Sequence, residues 1–130
     1  MATIKQFEDI ECWQLARKLF SDIYQITTLG EFKKDFSLKD QVRRSAGSVM
    51  DNIAEGFGRD GTKEFIQFLS YAKGSASEVQ SQLYRALDCN YINTETFNDI
   101  YNRTNNIIGK LTNLIKYLTS SNIKGNKYPK

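Results

Sequence analysis

Apolar residues return at intervals of three and four in four stretches of this chain, and nowhere do they alternate with polar ones as in a half-buried strand. The first stretch spans about Asp9 to Leu29, with Trp13, Ala16, Phe20 and Ile23 in line and Leu19 and Ile26 widening the stripe. Asp9 is placed to cap its start and Gly30 to end it. The second begins at "SLKD", where Ser37 is the expected cap and Asp40, three residues on, makes a variant capping box. It carries Leu38, Val42, Ala46, Val49, Ile53 and Phe57 and stops near Gly56. The third, from Thr62 to about Asn90, sets Phe65, Leu69, Ala72, Ala76, Val79, Leu83 and Ala86 at alternating steps of four and three. A period of about 3.5 residues suits helices packed nearly parallel or antiparallel in a left-handed supercoil. The fourth, about Thr94 to Ser121, lines up Phe97, Ile100, Tyr101, Ile107, Ile108, Leu111, Leu114, Ile115 and Leu118. Long helices with short connections take antiparallel neighbours. The pattern therefore predicts an all-α, up-down-up-down, left-handed four-helix bundle over residues 1–121, followed by a basic flexible tail at 122–130, "NIKGNKYPK".

Composition narrows the chemistry. Hydrophobic residues at 40% and charged residues at 25% fit an ordinary globular domain, and no apolar run is long enough to cross a bilayer. The opening "MATIKQFEDIECW" lacks the apolar core of a secretory signal, which makes a cytoplasmic location the expectation. The absence of histidine removes histidine-based catalysis and most zinc sites, so neither a metal nor a cofactor is expected. Cys12 and Cys89 have no metal-ligand spacing and suit small buried hydrophobes. In an antiparallel bundle one lies near the start of helix one and the other near the end of helix three, at opposite ends and out of disulfide reach.

Charge is unevenly spread. Residues 1–99 hold 12 Lys and Arg against 15 Asp and Glu, whereas residues 100–130 hold six basic residues and no acid. Arg103, Lys110, Lys116, Lys124, Lys127 and Lys130 are therefore the candidate contacts for an anionic partner, RNA or DNA. No aromatic-and-basic arrangement of a ribonucleoprotein motif accompanies them, so base-specific recognition is not implied.

The stretch "VRRSAGSVMDNIAEGFGRDGTKEF", residues 42–65, holds the remaining oddities. Gln41, Ser45, Ser48, Asn52 and Glu55 form a polar stripe beside the apolar one, while Arg43, Gly47 and Ala54 make a face that is small but for one arginine. Both features suit a second contact surface outside the bundle core, with Gln41, Arg43, Arg44, Ser48, Asn52, Glu55 and Arg59 as candidate oligomer contacts. Glu55 falls in the last turn, where the helix dipole disfavours an anion, and calls for a cation: Arg44, Arg59 or an arginine of another subunit, with a cation across a subunit boundary the expectation. Gly56 stands where a left-handed cap belongs, and "GRDGT" reads as a tight turn into a Thr62 cap. No Lys-Ser/Thr follows these glycines and no strand precedes them, so they are not a phosphate loop. Tyr71, Tyr84, Glu55, Glu64 and Glu78 are the imaginable acid-base groups, but none stands at a telling spacing, and no catalytic residue is assigned.

The block "LKDQVRRSAGSVMDNIAEGFGRDGTKEFIQFLSYAKGSASEVQSQL" resembles the signature of small bacterial four-helix-bundle proteins, including those encoded by intervening sequences within 23S ribosomal RNA genes. Gln41 and Arg44, the "NIAEG" of Asn52–Gly56 with Arg59, the Ala72–Glu78 segment and an early Phe7…Trp13 pattern carry it, over about residues 5–120. The resemblance implies a ring-shaped homopentamer with no known catalytic activity. A related branch, accessory proteins of diversity-generating retroelements, binds nucleic acid and a reverse transcriptase; those proteins are strongly basic, and this chain at +3 departs from them. The expectation is a non-enzymatic oligomeric bundle that binds RNA or DNA by charge. The alternative is a protein-interaction scaffold docking onto a larger enzyme, with no nucleic-acid contact of its own.

Overall fold

The computed structural model describes residues 4–123, of which the side chains of 122 and 123 are left aside. The four apolar stripes become four helices: α1 (Glu11–Ile26), α2 (Phe36–Phe57), α3 (Thr62–Asp88) and α4 (Thr94–Ile123). Short 3-10 turns at Phe7–Asp9 and Phe32–Lys34 lead into α1 and α2, and no strand occurs among the described residues. Lys124, Lys127, Lys130 and the rest of the expected tail lie outside them.

The stripe residues make one core. Ala16, Leu19 and Ile23 of α1, Val42, Ala46, Val49 and Ile53 of α2, Leu69 to Leu83 at heptad spacing on α3, and Ile107, Leu111 and Leu118 of α4 are buried together. Cross-helix contacts fix the directions. Thr27 meets Arg43 and Phe20 meets Gly47; Gln41 meets Arg85, Ser48 meets Ser75 and Phe57 meets Phe65. Gln80 meets Asn105 while Tyr84 meets Phe97, and Glu11 meets Lys110 while Asp22 meets Arg103. In each pair of helices the partners run in opposite order, so α1–α2, α2–α3, α3–α4 and α4–α1 are antiparallel. Cys12, beside Lys110, is buried, and Cys89 closes α3 in solvent; both thiols are free.

The helix ends differ from the sequence expectation in four places. Asp9 does not cap α1; its carboxylate accepts from the Lys5 and Gln6 amides at 3.0 and 3.3 Å and closes the preceding 3-10 turn, leaving Ile10 as the cap residue of α1. Asp35, not Ser37, caps α2, accepting from the Leu38 amide at 3.0 Å. The preceding turn at Phe32–Lys34 advances the helix start by two residues and puts that carboxylate over the open amides. Gly61 rather than Thr62 occupies the cap of α3, and Thr62 is its first residue.

Gly56 is the fourth. Its backbone is ordinary helix, α2 continues through Phe57, and the cap Gly58 has φ −76°. A left-handed residue occurs instead at Gly30 (φ 50°), after α1, and at Asn90 (φ 62°), after α3. Asn90 serves a Schellman motif, with its amide on the Leu87 carbonyl and the Tyr91 amide on the Ala86 carbonyl. Gly56 is small for packing: a Cβ there would lie 2.6 Å from the Phe68 Cβ and 3.0 Å from Phe65 Cδ1. α2 and α3 lie close together there, and Phe57 meets Phe65 edge-on at 5.8 Å.

Candidate interaction surface

The polar stripe of α2 does not stand alone in solvent; it faces a matching polar edge of α3. Ser75 Oγ donates to Ser48 Oγ at 2.9 Å, and the Asn52 amide donates to the same Ser48 hydroxyl and to its carbonyl at 2.9 and 2.8 Å. One turn from the start of α2, Arg85 Nη1 donates to Gln41 Oε1 at 2.9 Å, while the Gln41 amide reaches Ser37 Oγ at 3.0 Å. Between these two bridges lies an open cleft of about 320 Å³ lined by Gln41, Arg44, Ser45, Ser48, Glu78 and Gln82. Gln82 brings an unusual feature to it. Among the described residues its Oε1 is the one buried side-chain oxygen or nitrogen without a hydrogen-bond partner.

The seven candidate contact residues separate onto different surfaces. Gln41, Arg44 and Ser48 line the α2–α3 cleft, and Asn52 braces Ser48 beside it. Arg44 is 80% exposed and holds Asp40 of its own helix at 2.9 Å. Glu55 pairs with Arg59 at 3.4 Å, so its cation comes from the same chain, four residues on, and not from across a subunit boundary as expected. The guanidinium of Arg59 also lies 4.9 Å from the Phe68 ring centre. Arg43 turns the other way. Its Nε donates to Thr27 Oγ1 at 2.8 Å and its guanidinium covers Tyr24 at 3.9 Å, so it ties α2 to the end of α1. Gly47 of the same small face lies under Phe20, at ordinary contact distance for an added Cβ, 3.7 Å. The small face therefore serves packing against α1. Of the two that complete the cleft, Gln82 goes unnoticed in the sequence as a polar residue on the wet side of the third stripe, and Glu78 is marked there only as an imaginable acid-base group and part of the Ala72–Glu78 segment. The pairings of Ser48 with Ser75 and of Gln41 with Arg85 bring their edge of α3 beside α2.

The basic candidates of α4 are mostly engaged. Arg103 Nη1 lies 2.8 Å from Asp22 and 3.5 Å from Asp99, and Lys110 Nζ lies 3.1 Å from Glu11, so both fasten α4 to α1. Burial acts to raise the Asp22 carboxyl, but hydrogen bonds from Lys18 and Arg103 outweigh it and hold the group below its ordinary value. Arg103 sits in a cleft whose rim also carries Asp22, Glu95 and Asp99, a setting that repels a polyanion. Lys116 is exposed.

At the opposite end, the Asp35 cap also accepts from Tyr91 Oη at 2.8 Å, joining the start of α2 to the loop before α4. The Leu38 amide and the Tyr91 hydroxyl, in that order, hold the Asp35 carboxyl low, and the same contact pushes the Tyr91 phenol up to about 12. Among the described residues no three of Cys, Asp and Glu gather where a metal ion could sit, and no helix is long and apolar enough to cross a membrane. Tyr71 accepts from Gln67 at 2.7 Å on its own helix, and Tyr84 packs on Phe97, so neither tyrosine stands against an acid or a base.

A crystal structure of a protein of unknown function from the S23 ribosomal protein family of Bacteroides thetaiotaomicron VPI-5482 has the same fold. The TM-score is 0.74 at 25% identity, over 81% of this chain and 98% of that one. No curated protein matches the sequence. The family model for the 23S rRNA-intervening sequence protein matches residues 8–113, a span that takes in all of α1, α2 and α3 and the α2–α3 cleft between them. With residues 8–113, most of its length, matched, the chain belongs to the 23S rRNA-intervening sequence protein family.

Proposed function

We propose that this chain works by assembly rather than catalysis, joining copies of itself into a ring through the outer α2–α3 surface, with five subunits the number that the resemblance implies. The observation that carries this is the open polar cleft between α2 and α3, lined by Gln41, Arg44, Ser45, Ser48, Glu78 and Gln82. A second copy entering between the exposed Arg44 and Glu78 can exchange hydrogen bonds and charge pairs with both. The cleft is fitted for such a contact: its charges are one arginine and one glutamate, and its hydroxyls and amides are already held in place by Ser75 and Arg85.

The test is the mass of the purified protein by multi-angle light scattering. Wild type is expected at a multiple of 14.9 kDa, five by the ring proposal. Arg44→Glu and Glu55→Lys, made separately, are expected to lower it. A wild-type monomer, or an unchanged assembly in both variants, refutes the proposal. Binding of RNA or DNA by simple charge has less support from the geometry, since Arg103 and Lys110 are held by carboxylates of α1.

A further inference from the structure

The edge of α3 that faces α4 differs from the edge that faces α2. Lys63, Ser70, Ser77 and Tyr84 follow one another at seven-residue steps along it, with Lys73 and Gln80 beside them. On α4 the facing line is Asn98, Asn105, Thr112 and Thr119, with Tyr101 and Lys116 beside it. The two lines meet where Gln80 Nε2 approaches the Tyr101 carbonyl and Asn105 Oδ1 at 3.4 and 3.5 Å. Between Lys63 and Tyr84, and between Asn98 and Thr119, the helices carry three carboxylates, and all three fall elsewhere. Glu78 lines the α2–α3 cleft and Asp99 the α1–α4 cleft, while Glu64 shares the α2-facing edge with Phe68 and Ser75. Between these bounds a strip about 30 Å long is free of acid; the exposed Asp88, one turn beyond Tyr84, marks its end.

One end of the strip is aromatic. Tyr84 is half exposed yet held: its ring lies 4.8 Å from Phe97 and 5.8 Å edge-on from Tyr101, and those two stack at 5.4 Å. A tyrosine supported from below by two further rings presents a flat apolar surface in a fixed orientation. Toward the other end stand Lys73, Lys116 and Lys63, with hydroxyls and amides between. Ring faces for bases, cations for phosphates and no carboxylate between the two are what a single-stranded nucleic acid needs, whereas a duplex hides its base faces.

We propose that the α3–α4 face binds single-stranded RNA or DNA, with an unpaired base stacked on Tyr84 and the phosphodiester backbone running toward Lys73 and Lys116. This face is separate from the α2–α3 cleft, so the proposal stands or falls independently of the assembly proposed above. Fluorescence anisotropy of a labelled mixed-sequence oligonucleotide of roughly 12 residues at low salt tests it, with RNA, DNA and duplex arms. The full chain is expected to bind a single strand at least tenfold more tightly than the duplex, the RNA and DNA arms showing which sugar is preferred. Tyr84→Ala should weaken binding by about 5- to 150-fold, the range for loss of one base–aromatic stack, and Tyr84→Phe should retain it. Lys73→Gln with Lys116→Gln should flatten the salt dependence by about 1.4 units of slope. Tyr117→Ala, an exposed ring on the α1 side of α4, should change nothing. No binding of either single strand, equal binding of duplex, or a Tyr84→Ala protein that stays folded by circular dichroism and binds as wild type would each overturn it.

Discussion

Replacing Gly56 by alanine sets two effects against each other, and the structure decides which wins. In an unobstructed helix interior alanine is favoured over glycine by about 0.8–1.0 kcal/mol. At Gly56 the new methyl would sit 2.6 Å from the Phe68 Cβ and 3.0 Å from Phe65 Cδ1. Phe65 can swing its ring, but the Phe68 Cβ is fixed to its backbone, so relief requires α2 and α3 to separate by about 1 Å to reach normal contact. That separation loosens the Phe57–Phe65 edge contact, worth about 0.5–1.5 kcal/mol, and overpacking of this kind costs about 1–3 kcal/mol in all. After the propensity gain the expected net loss is up to about 2 kcal/mol, or a fall of up to roughly 8 °C in melting temperature for a domain of this size. Gly74→Ala and Gly109→Ala supply the internal comparison. Both lie inside long helices with nothing within 4 Å of an added Cβ, and each should gain roughly 0.5–1 kcal/mol. Urea and thermal denaturation of the three variants side by side is the assay. A Gly56→Ala protein as stable as Gly74→Ala would refute the claim that packing, not backbone freedom, selects glycine there.

The Asp35–Tyr91 contact makes stability fall at high pH. Because the folded phenol is pushed up to about 12, its contribution is complete below its ordinary 10.0 and fades as pH rises from there. Tyr91→Phe should abolish that alkaline step, and Asp35→Asn should bring the phenol's ultraviolet titration back toward 10; a phenol titrating unchanged in Asp35→Asn would contradict the cause given. Asp22 works in the opposite direction: its carboxyl is held below 3.8, so its contribution is present above that value and lost as the pH drops further. Asp22→Asn should cost about 0.2–1 kcal/mol near neutrality, its partly exposed pair with Arg103 being screened by solvent, and should flatten the acid limb of a denaturation-versus-pH curve. Cys89 should react with a thiol reagent at once, whereas Cys12, with its thiol raised to about 12 by burial, should react only through unfolding; two equal rates would show α1 to be undocked.

The helices were legible because burial enforces period. Every residue of the third stripe, Phe65 to Ala86, is buried, and the antiparallel order follows from connections too short to allow anything else. The caps were less legible, since a cap depends on the backbone just outside the helix. Ser37 and Asp35 are equally good acceptors on paper, and the 3-10 turn at Phe32–Lys34 chooses between them. Glycine is ambiguous in the same way. Gly30 and Gly56 both end an apolar stripe, but one is there for its positive φ and the other for the two phenylalanines of α3 that lie against it.

The polar stripe of α2 was visible as a pattern, but its partner was not. Helical spacing says which residues share a face and is silent on which neighbour that face meets. Gln41, Ser48 and Asn52 acquire meaning once Ser75, Glu78, Gln82 and Arg85 are opposite them. Glu55 shows the limit most sharply. An anion in the last turn of α2 demanded a cation, and residue types alone pointed across a subunit boundary, whereas the cation lies within the chain. Because α2 runs on to Phe57, Arg59 falls one turn beyond Glu55 and reaches it at 3.4 Å, while its guanidinium lies over Phe68. The same phenylalanine forces residue 56 to be glycine. The "NIAEG" block with Arg59 is therefore one packing device, in which the small residue admits Phe68, Phe68 seats the arginine, and the arginine neutralises the glutamate.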